Sequence, residues 1–377
     1  MKVLITGAHF TPAQAVIEQL QTIKGIEIVY VGRKTTMEGD STPSAESQLL
    51  PKLGVKFVPI VAGRLRRFVS LGTIISLLKI PVGFIQAFWV VLTEEPDVVV
   101  SFGGYVAVPV VVSAWFLNVP IIIHEQTLVS GLANTISSFF ADKIAVAFDK
   151  DYSFPKRKVF LTGNPIRNSI LNPSGKVSAK TRQLLKLKTR QKLPLLVITG
   201  GNQGSHFFNQ LLLDNLDYLV GRYLIVHQSG DSKFKDFEKL SERRNSLKHP
   251  ERYFLYKFID GEDLGAIFQA AELVISRAGA NTLLELAYLG TPTLIVPIPY
   301  LHNNEQEINA KFFAGAGLGE VIYQSELTGP RLLGEIERMV SAARDYRQKA
   351  QKAKSVVILD AAQKITRQIL ILGKYNG

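Results

Sequence analysis

Residues 273–287, LVISRAGANTLLELA, decide the fold when read together with TLIVPIP at 293–299 and NNEQEINA at 303–310. LVIS is a short apolar run without period-2 alternation, the pattern of a strand buried on both faces. It ends in a small-residue turn, Arg277, Ala278, Gly279, Ala280, that opens a helix. TLIVPIP is a second buried strand, so the stretch is one βαβ unit. A small-residue turn lets backbone N–H groups and the positive end of the helix approach a diphosphate. Glu285, one to two turns into the helix, is placed to accept hydrogen bonds from ribose hydroxyls, as an acidic residue does in dinucleotide sites. Gln306 and Asn309 follow the second strand and fall at the carboxyl edge of the sheet, where open α/β sheets bind ligands. Their amides suit sugar hydroxyls, so the unit fits a sugar nucleotide.

The same grammar runs outward through the chain. Strand patterns are expected at Lys2–Ile5, Glu27–Val31, Asp97–Ser101, Pro120–His124, Lys143–Ala147 and Val159–Leu161, with a helix at Ala13–Gln21. From Leu195 a second series begins: LLVIT, the turn GGNQGS at 200–205, a helix, then LIVH, FLY, LVIS and TLIVP. Strand, glycine turn and helix head both halves. Two Rossmann-like α/β domains with parallel sheets facing a central cleft are predicted. The first covers 1–164, with a C-terminal helix at about 355–377 packing back on it, and the second covers 165–354. The segment Asn172–Lys192, basic and poor in large apolar residues, reads as a linker.

A length of 377 residues suits two domains, and 46 % hydrophobic with 20 % charged residues is a globular composition. No cysteine is present, which excludes disulfides, thiolate metal sites and a Cys nucleophile. The amino terminus enters a strand pattern at once and has no signal-peptide h-region. The net charge of +12 calls for an anionic partner. Every charged residue from Arg167 to Lys192 is basic, and Arg64, Arg66 and Arg67 form a second run. Aromatic residues are not interleaved with these runs, so nucleic acid is not expected. Phe68–Leu92 is almost wholly apolar and long enough to span a membrane, but Lys79, Pro81 and Gln86 interrupt it. A buried helix pair is the first expectation. The second is an exposed face, with Leu71, Ile74, Ile75 and Leu78 at helical spacing beside the arginines and Phe84, Phe88 and Trp89 following, suited to anionic lipid.

Other constellations bear on chemistry. GGNQGS offers Asn202, Gln203 and free backbone at another helix start, but it lacks the GxGxxG spacing of nicotinamide and flavin sites. His9 follows the first strand, where it serves either as a base for an acceptor hydroxyl or as a helix cap. HEQ at 124–126 follows another strand, which makes Glu125 a competing base or an orienting group. Gly103, Gly104 and Tyr105 provide a further loop for an anion. DKD at 149–151 reads as solvated loop charge, the histidines lack ligand spacing, and no metal site is predicted.

TGAHFTP (6–12), FGGYVAVP (102–109), IHEQT (123–127) with SGLAN (130–134), GNPIR (163–167), GGNQGS with Asn209, HQSG (227–230), FID (258–260), SRAGANTLLE (276–285) and EQEINA (305–310) resemble the ordered motifs of the MurG glycosyltransferases of family 28. The likeness runs in register from about residue 3 to 345. It implies a GT-B fold and inverting, metal-independent transfer of N-acetylglucosamine (GlcNAc) from UDP-GlcNAc. The implied acceptor is a polyprenyl-diphosphate-linked MurNAc-pentapeptide, and the product is the lipid II of peptidoglycan synthesis. It also implies no cofactor, a peripheral place on the cytoplasmic face of the plasma membrane, an anionic membrane surface as partner, and cell-wall synthesis partners. Position by position, Ile259 would meet the uracil through its backbone and Glu285 the ribose. Asn202, Gln203 and the turn of Arg277, Gly279, Ala280 and Asn281 would hold the diphosphate, and Gln306 the GlcNAc hydroxyls. Asn309, Asn209 and Arg167 would line the cleft. His9 would be the base, with Glu125, Thr6, Gly7, Gly103, Gly104, Tyr105, Thr127 and Asn134 on the acceptor side. Three departures stand out: Ile5 and Ala8 replace glycines of the family's first loop, Thr127 replaces an asparagine, and Glu305 replaces a histidine. They bear on the acceptor more than the donor. Transfer to another polyprenyl-linked acceptor and a non-catalytic nucleotide-sugar or membrane-binding subunit remain as alternatives.

Overall fold

The computed structural model describes residues 1–35, 43–61, 63, 71–231, 234–300 and 302–375. It divides into two compact units, Met1–Arg167 with Ile358–Gly377, and Asn168–Val357.

Unit 1 alternates strand and helix: β1 (Lys2–Thr6), α1 (Phe10–Leu20), β2 (Glu27–Gly32), α2 (Ala45–Leu49), β3 (Lys56–Pro59), α3 (Leu71–Glu94), β4 (Val98–Ser101), α4 (Ala107–Phe116), β5 (Ile121–Glu125), α5 (Leu132–Phe140), β6 (Lys143–Val146) and β7 (Val159–Leu161). The strands form one parallel sheet in the order β3-β2-β1-β4-β5-β6-β7. Successive residues of a buried strand serve opposite cores. Val3 and Ile5 pack toward α1, and Leu4 packs with Val99, Ile121 and Val110 on the other face. The order reverses between β1 and β4, so the loops that leave these neighbours diverge and open a crevice at the sheet's carboxyl edge.

In unit 2, α6 (Asn168–Leu171) and α7 (Ala179–Gln191) precede β8 (Leu195–Thr199), α8 (His206–Arg222), β9 (Leu224–Gln228), α9 (Asp236–Asn245), β10 (Tyr253–Tyr256), α10 (Gly261–Ala270), β11 (Leu273–Ser276), α11 (Ala280–Leu289), β12 (Thr293–Ile295), α12 (Glu305–Gly315), β13 (Gly319–Val321), α13 (Gly329–Ser341) and α14 (Ala343–Lys352). The sheet is parallel, in the order β10-β9-β8-β11-β12-β13. Its reversal lies between β8 and β11, the strands followed by GGNQGS and by the Arg277–Ala280 turn. The last helix, α15 (Ala361–Leu372), belongs to unit 1, where Ala362, Ile365 and Ile369 join the α1 core.

Two sequence expectations are corrected. Residues 172–192 are not a bare linker. Within them α7 buries Thr181, Leu184 and Leu187, while Ser178 caps its N-terminus by accepting from the Thr181 N–H at 3.2 Å. Lys188 donates to Glu272 at 2.8 Å, and Lys180 lies 3.7 Å from the centre of the Tyr256 ring. The basic residues thus anchor a helix that has only a narrow apolar stripe. From Leu71 on, the apolar run forms one helix, not a pair, because Pro81 sits inside α3 without ending it. Among the described residues no helix is long and apolar enough to cross a membrane. Over its last turns α3 buries Ala87 and Val91 and exposes Val82, Ile85, Phe88, Trp89 (58 % exposed) and Leu92. Arg64, Arg66 and Arg67, and the side chains of Leu71, Ile74, Ile75 and Leu78, lie outside the described residues.

Candidate active site

The crevice of unit 1 is built by backbone that only glycine accommodates. Gly7 has φ 144°, and a Cβ there would stand 2.8 Å from the Phe102 carbonyl carbon. The Ala8 N–H donates to the Gly103 carbonyl at 2.9 Å, which ties the first loop to the loop after β4. A Cβ on Gly104 would fall 2.5 Å from that of Ala8, so the methyl that replaces a family glycine is packed against a glycine opposite. Thr6 ends β1 fully buried, and its hydroxyl meets no partner among the described residues.

His9 stands at the N-cap of α1, yet its side chain makes no capping hydrogen bond, so the cap role is not the one it plays. Burial, reinforced by the charge of Arg33, lowers its pKa to about 4. His124 is also depressed to about 4, chiefly by burial. Its Nε2 lies 3.2 Å from the Gly163 carbonyl, which makes that nitrogen the protonated one. Both imidazoles are neutral at pH 7.

Glu125 is not free to act as a base. Its carboxylate accepts from the Thr127 N–H at 3.2 Å, the Gly131 N–H at 3.0 Å and Asn134 Nδ2 at 3.0 Å. The Thr127 hydroxyl sits 2.9 Å from Oε1 and 2.6 Å from the Val129 carbonyl and donates to one of them at a time. Burial pushes the Glu125 pKa up and these donors pull it down, so the group anchors the loop between β5 and α5. Thr127 and Asn134 serve the same anchor. Tyr105 accepts a hydrogen bond from Arg33 Nη1 at 3.2 Å. The arginine was missed in the sequence because no motif marks it, although its place directly after β2 is a carboxyl-edge position.

In unit 2 the GGNQGS turn is equally tight. A Cβ on Gly204 would fall 1.9 Å from the Ser229 carbonyl oxygen, and the Gly201 N–H donates to Thr199 Oγ1 at 3.0 Å. Asn202 and Gln203 are exposed at its tip, and Ser205 caps α8. Across the switch point Gly279 caps α11 with no side-chain hydrogen bond and with open space where a Cβ would be. Ala280 and Asn281 open that helix, and Glu285 is buried within it. Ile259 is buried just after β10, and Arg167 is buried at the end of unit 1.

Several polar residues expected to face a ligand also hold these loops. Arg277 Nε and Nη2 donate to Ser205 Oγ at 3.2 and 3.0 Å, and its Nη2 reaches Gln324 Oε1 at 2.7 Å. Burial lowers its pKa to about 10, which leaves it charged. Asn209 Nδ2 donates to the Ser229 carbonyl at 3.0 Å and to Asp236 at 2.9 Å. Asn309 Nδ2 donates to the Ala278 carbonyl at 3.1 Å. Gln306 Oε1 accepts from the Ala278 N–H at 3.2 Å and the Ile298 N–H at 2.9 Å, so its carbonyl binds the two loops together. Glu305 opens α12, where a carboxylate suits the helix dipole. Asp149 and Asp151 are exposed, and among the described residues no group of three His, Cys, Asp or Glu side chains could hold a metal ion.

Solved structures share this architecture. MurG of Acinetobacter baumannii superposes with a TM-score of 0.66 at 26 % identity, covering 98 % of this chain and 99 % of that one. A UDP-GlcNAc 2-epimerase from Neisseria meningitidis gives 0.63 at 14 % identity over 98 % of this chain and 100 % of its own, a likeness of fold alone. The protein is therefore of the GT-B class, with a Rossmann-like unit on each side of its chain. Residues 6–146 match the glycosyltransferase family 28 N-terminal domain and residues 195–365 the family 28 C-terminal domain, and the chain belongs to that family. A Treponema denticola relative is 35 % identical over 84 % of this chain and 81 % of its own. One from Desulforamulus reducens is 33 % identical over 96 % and 92 %. Both are named UDP-N-acetylglucosamine–N-acetylmuramyl-(pentapeptide) pyrophosphoryl-undecaprenol N-acetylglucosamine transferase.

Proposed function

We propose that this enzyme transfers GlcNAc from UDP-GlcNAc to a polyprenyl-diphosphate-linked MurNAc-pentapeptide, giving lipid II, with inversion and without a metal, at the cytoplasmic face of the membrane. The observation that carries the reading is likeness to transferases of that name across both units, 33 % over 96 % of the chain in one case. The chemistry agrees with it. An acceptor hydroxyl attacks the anomeric carbon, the bond to the UDP oxygen breaks, and the hydroxyl proton passes to a neutral imidazole at His9. The charge that develops on UDP is met by glycine-turn N–H groups and the N-termini of α8 and α11, which take the place of a cation. Peripheral membrane binding is supported by the apolar stripe of α3 and by Trp115 and Phe116 at the end of α4, all exposed on a chain of net charge +12.

The deciding assay mixes purified protein, UDP-GlcNAc and a lipid I analogue in EDTA, with the product identified by mass. The expected outcome is one added N-acetylhexosamine and one UDP per turnover. Turnover restored only by added divalent metal would overturn the metal-free step, and a product from a different acceptor alone would overturn the substrate.

A further inference from the structure

A catalytic imidazole is ordinarily held in line by a group that bonds its second ring nitrogen. His9 has no such group. Among the described residues neither of its ring nitrogens has a hydrogen-bond partner, and its side chain makes no cap to α1. Its direction is therefore set by the backbone that carries it.

That backbone is clamped from both sides. The Gly7 carbonyl and the Ala8 N–H belong to one planar peptide unit. The carbonyl accepts from the buried Tyr30 hydroxyl at 2.9 Å, and the N–H donates to the Gly103 carbonyl at 2.9 Å. A plane tied at both ends cannot swing without breaking a hydrogen bond, and it ends one residue before His9.

Tyr30 reaches this carbonyl because of the sequence of β2. In the register of β1 with β2, Tyr30 lies opposite Ile5, two positions before Gly7. Strand side chains lean along the strand, and the next residue on the same face is Gly32, where a Cβ would stand 2.9 Å from the Tyr30 ring. The missing side chain makes room for the ring. Phe10 and Phe57 hold it there, with ring centres 6.2 and 6.4 Å away. A phenylalanine at 30 would keep those contacts, so packing alone does not call for the hydroxyl. Burial raises its pKa well above the ordinary value, which keeps it a donor.

We propose that Tyr30 is a positioning residue for the transfer step: through the Gly7 carbonyl it fixes the Gly7–Ala8 peptide, and so the direction from which His9 meets the acceptor hydroxyl. This rests on His9 being the base. The competing role is that of a core side chain and nothing more.

Tyr30→Phe removes the hydroxyl and keeps the ring. It should lower kcat about tenfold, the range for one lost hydrogen bond to a buried carbonyl, with the KM of both substrates and the Kd of UDP within about twofold. In a His9→Gln background the same substitution should cost less than about twofold, because residues that act as a unit are not additive. NMR of the imidazole carbons should show the His9 signals of Tyr30→Phe shifted or broadened, and those of His227, in unit 2, unmoved. Gly32→Ala, which crowds the Tyr30 ring, should reproduce both the loss of kcat and the change at His9, and it decides by the same readouts if Tyr30→Phe does not fold. A lowered Tm with kcat unchanged, or an equal loss with and without His9, would overturn the proposal and leave Tyr30 a core residue. Wild-type kcat in His9→Gln would instead sink the assignment of the base. The NMR arm needs no turnover, and it then decides whether Tyr30 holds His9.

Discussion

An imidazole that titrates near pH 4 is a weak base that is always available, and His9 is one. The trade is characteristic of a buried group: below its ordinary 6.5 the nitrogen keeps its lone pair, at the cost of driving force for proton transfer. The same burial sets the acid stability of the chain. His9, His124 and His227 titrate at about 4, about 4 and about 3 in the folded state, against about 6.5 when unfolded. Between those values the unfolded chain binds more protons. Their stabilisation is therefore whole above about pH 6.5 and is lost as pH falls toward 4. Urea midpoints should decline from pH 6.5 to 5 while kcat/KM of the still-folded enzyme stays level. A kcat/KM limb centred near 6.5 would show that His9 is not the base or is not buried in solution. Little of this residue-level assignment was legible beforehand. Asn209, Asn309 and Arg277 were marked as ligand contacts because their groups can bond a sugar or a phosphate, and the amide nitrogens of the two asparagines and the arginine's Nε also hold Ser229, Ala278 and Ser205. Side-chain chemistry shows what a residue can bond. Only packing shows with what.

Helices and strands were read with uneven success for reasons of exposure. Central strands such as β8 and β11 are buried on both faces, so they appear as unbroken apolar runs and were placed to the residue. The short edge strands β3 and β13 were not foreseen, because each pairs on one side and has no run to show. α7 was taken for a linker since three buried residues in thirteen leave its pattern dominated by lysine and arginine. In α3 the apolar excess is real but exposed, and exposure gives a direct test. Val82, Ile85, Phe88, Trp89 and Leu92 recur at three- and four-residue spacing on its outer face. Phe88→Ser with Trp89→Ser removes two aromatic anchors from a surface that holds up no core. Co-sedimentation with vesicles containing anionic lipid should weaken about tenfold or more while Tm changes little. A fall in Tm with vesicle binding unchanged would mean that this face packs against protein.

At the scale of the whole chain, two sheets of the same topology reverse strand order once each, and each reversal opens a crevice beside its glycine turns. That repetition was visible as strand, glycine turn, helix at the head of both halves, which is why the two-unit architecture could be read early. The two crevices are not equivalent chemically. In unit 2 both turns lead straight into helix starts, Ser205 before α8 and Gly279 before α11, a setting for a nucleoside diphosphate. In unit 1 the loops carry neutral His9, the proposed base for the acceptor hydroxyl. The division of labour predicts where each ligand slows amide exchange. UDP should protect peptides spanning Gly200–Ser205 and Arg277–Glu285 and leave Phe102–Tyr105 at its free rate. Farnesyl diphosphate should protect Phe102–Tyr105 and spare Gly200–Ser205. Exchange reports local opening free energy, so a ligand that ties down the turn N–H groups must lower it where it binds. Protection by UDP centred on Phe102–Tyr105 would reverse the assignment of donor and acceptor to the two units, and with it the roles given to His9 and Glu285.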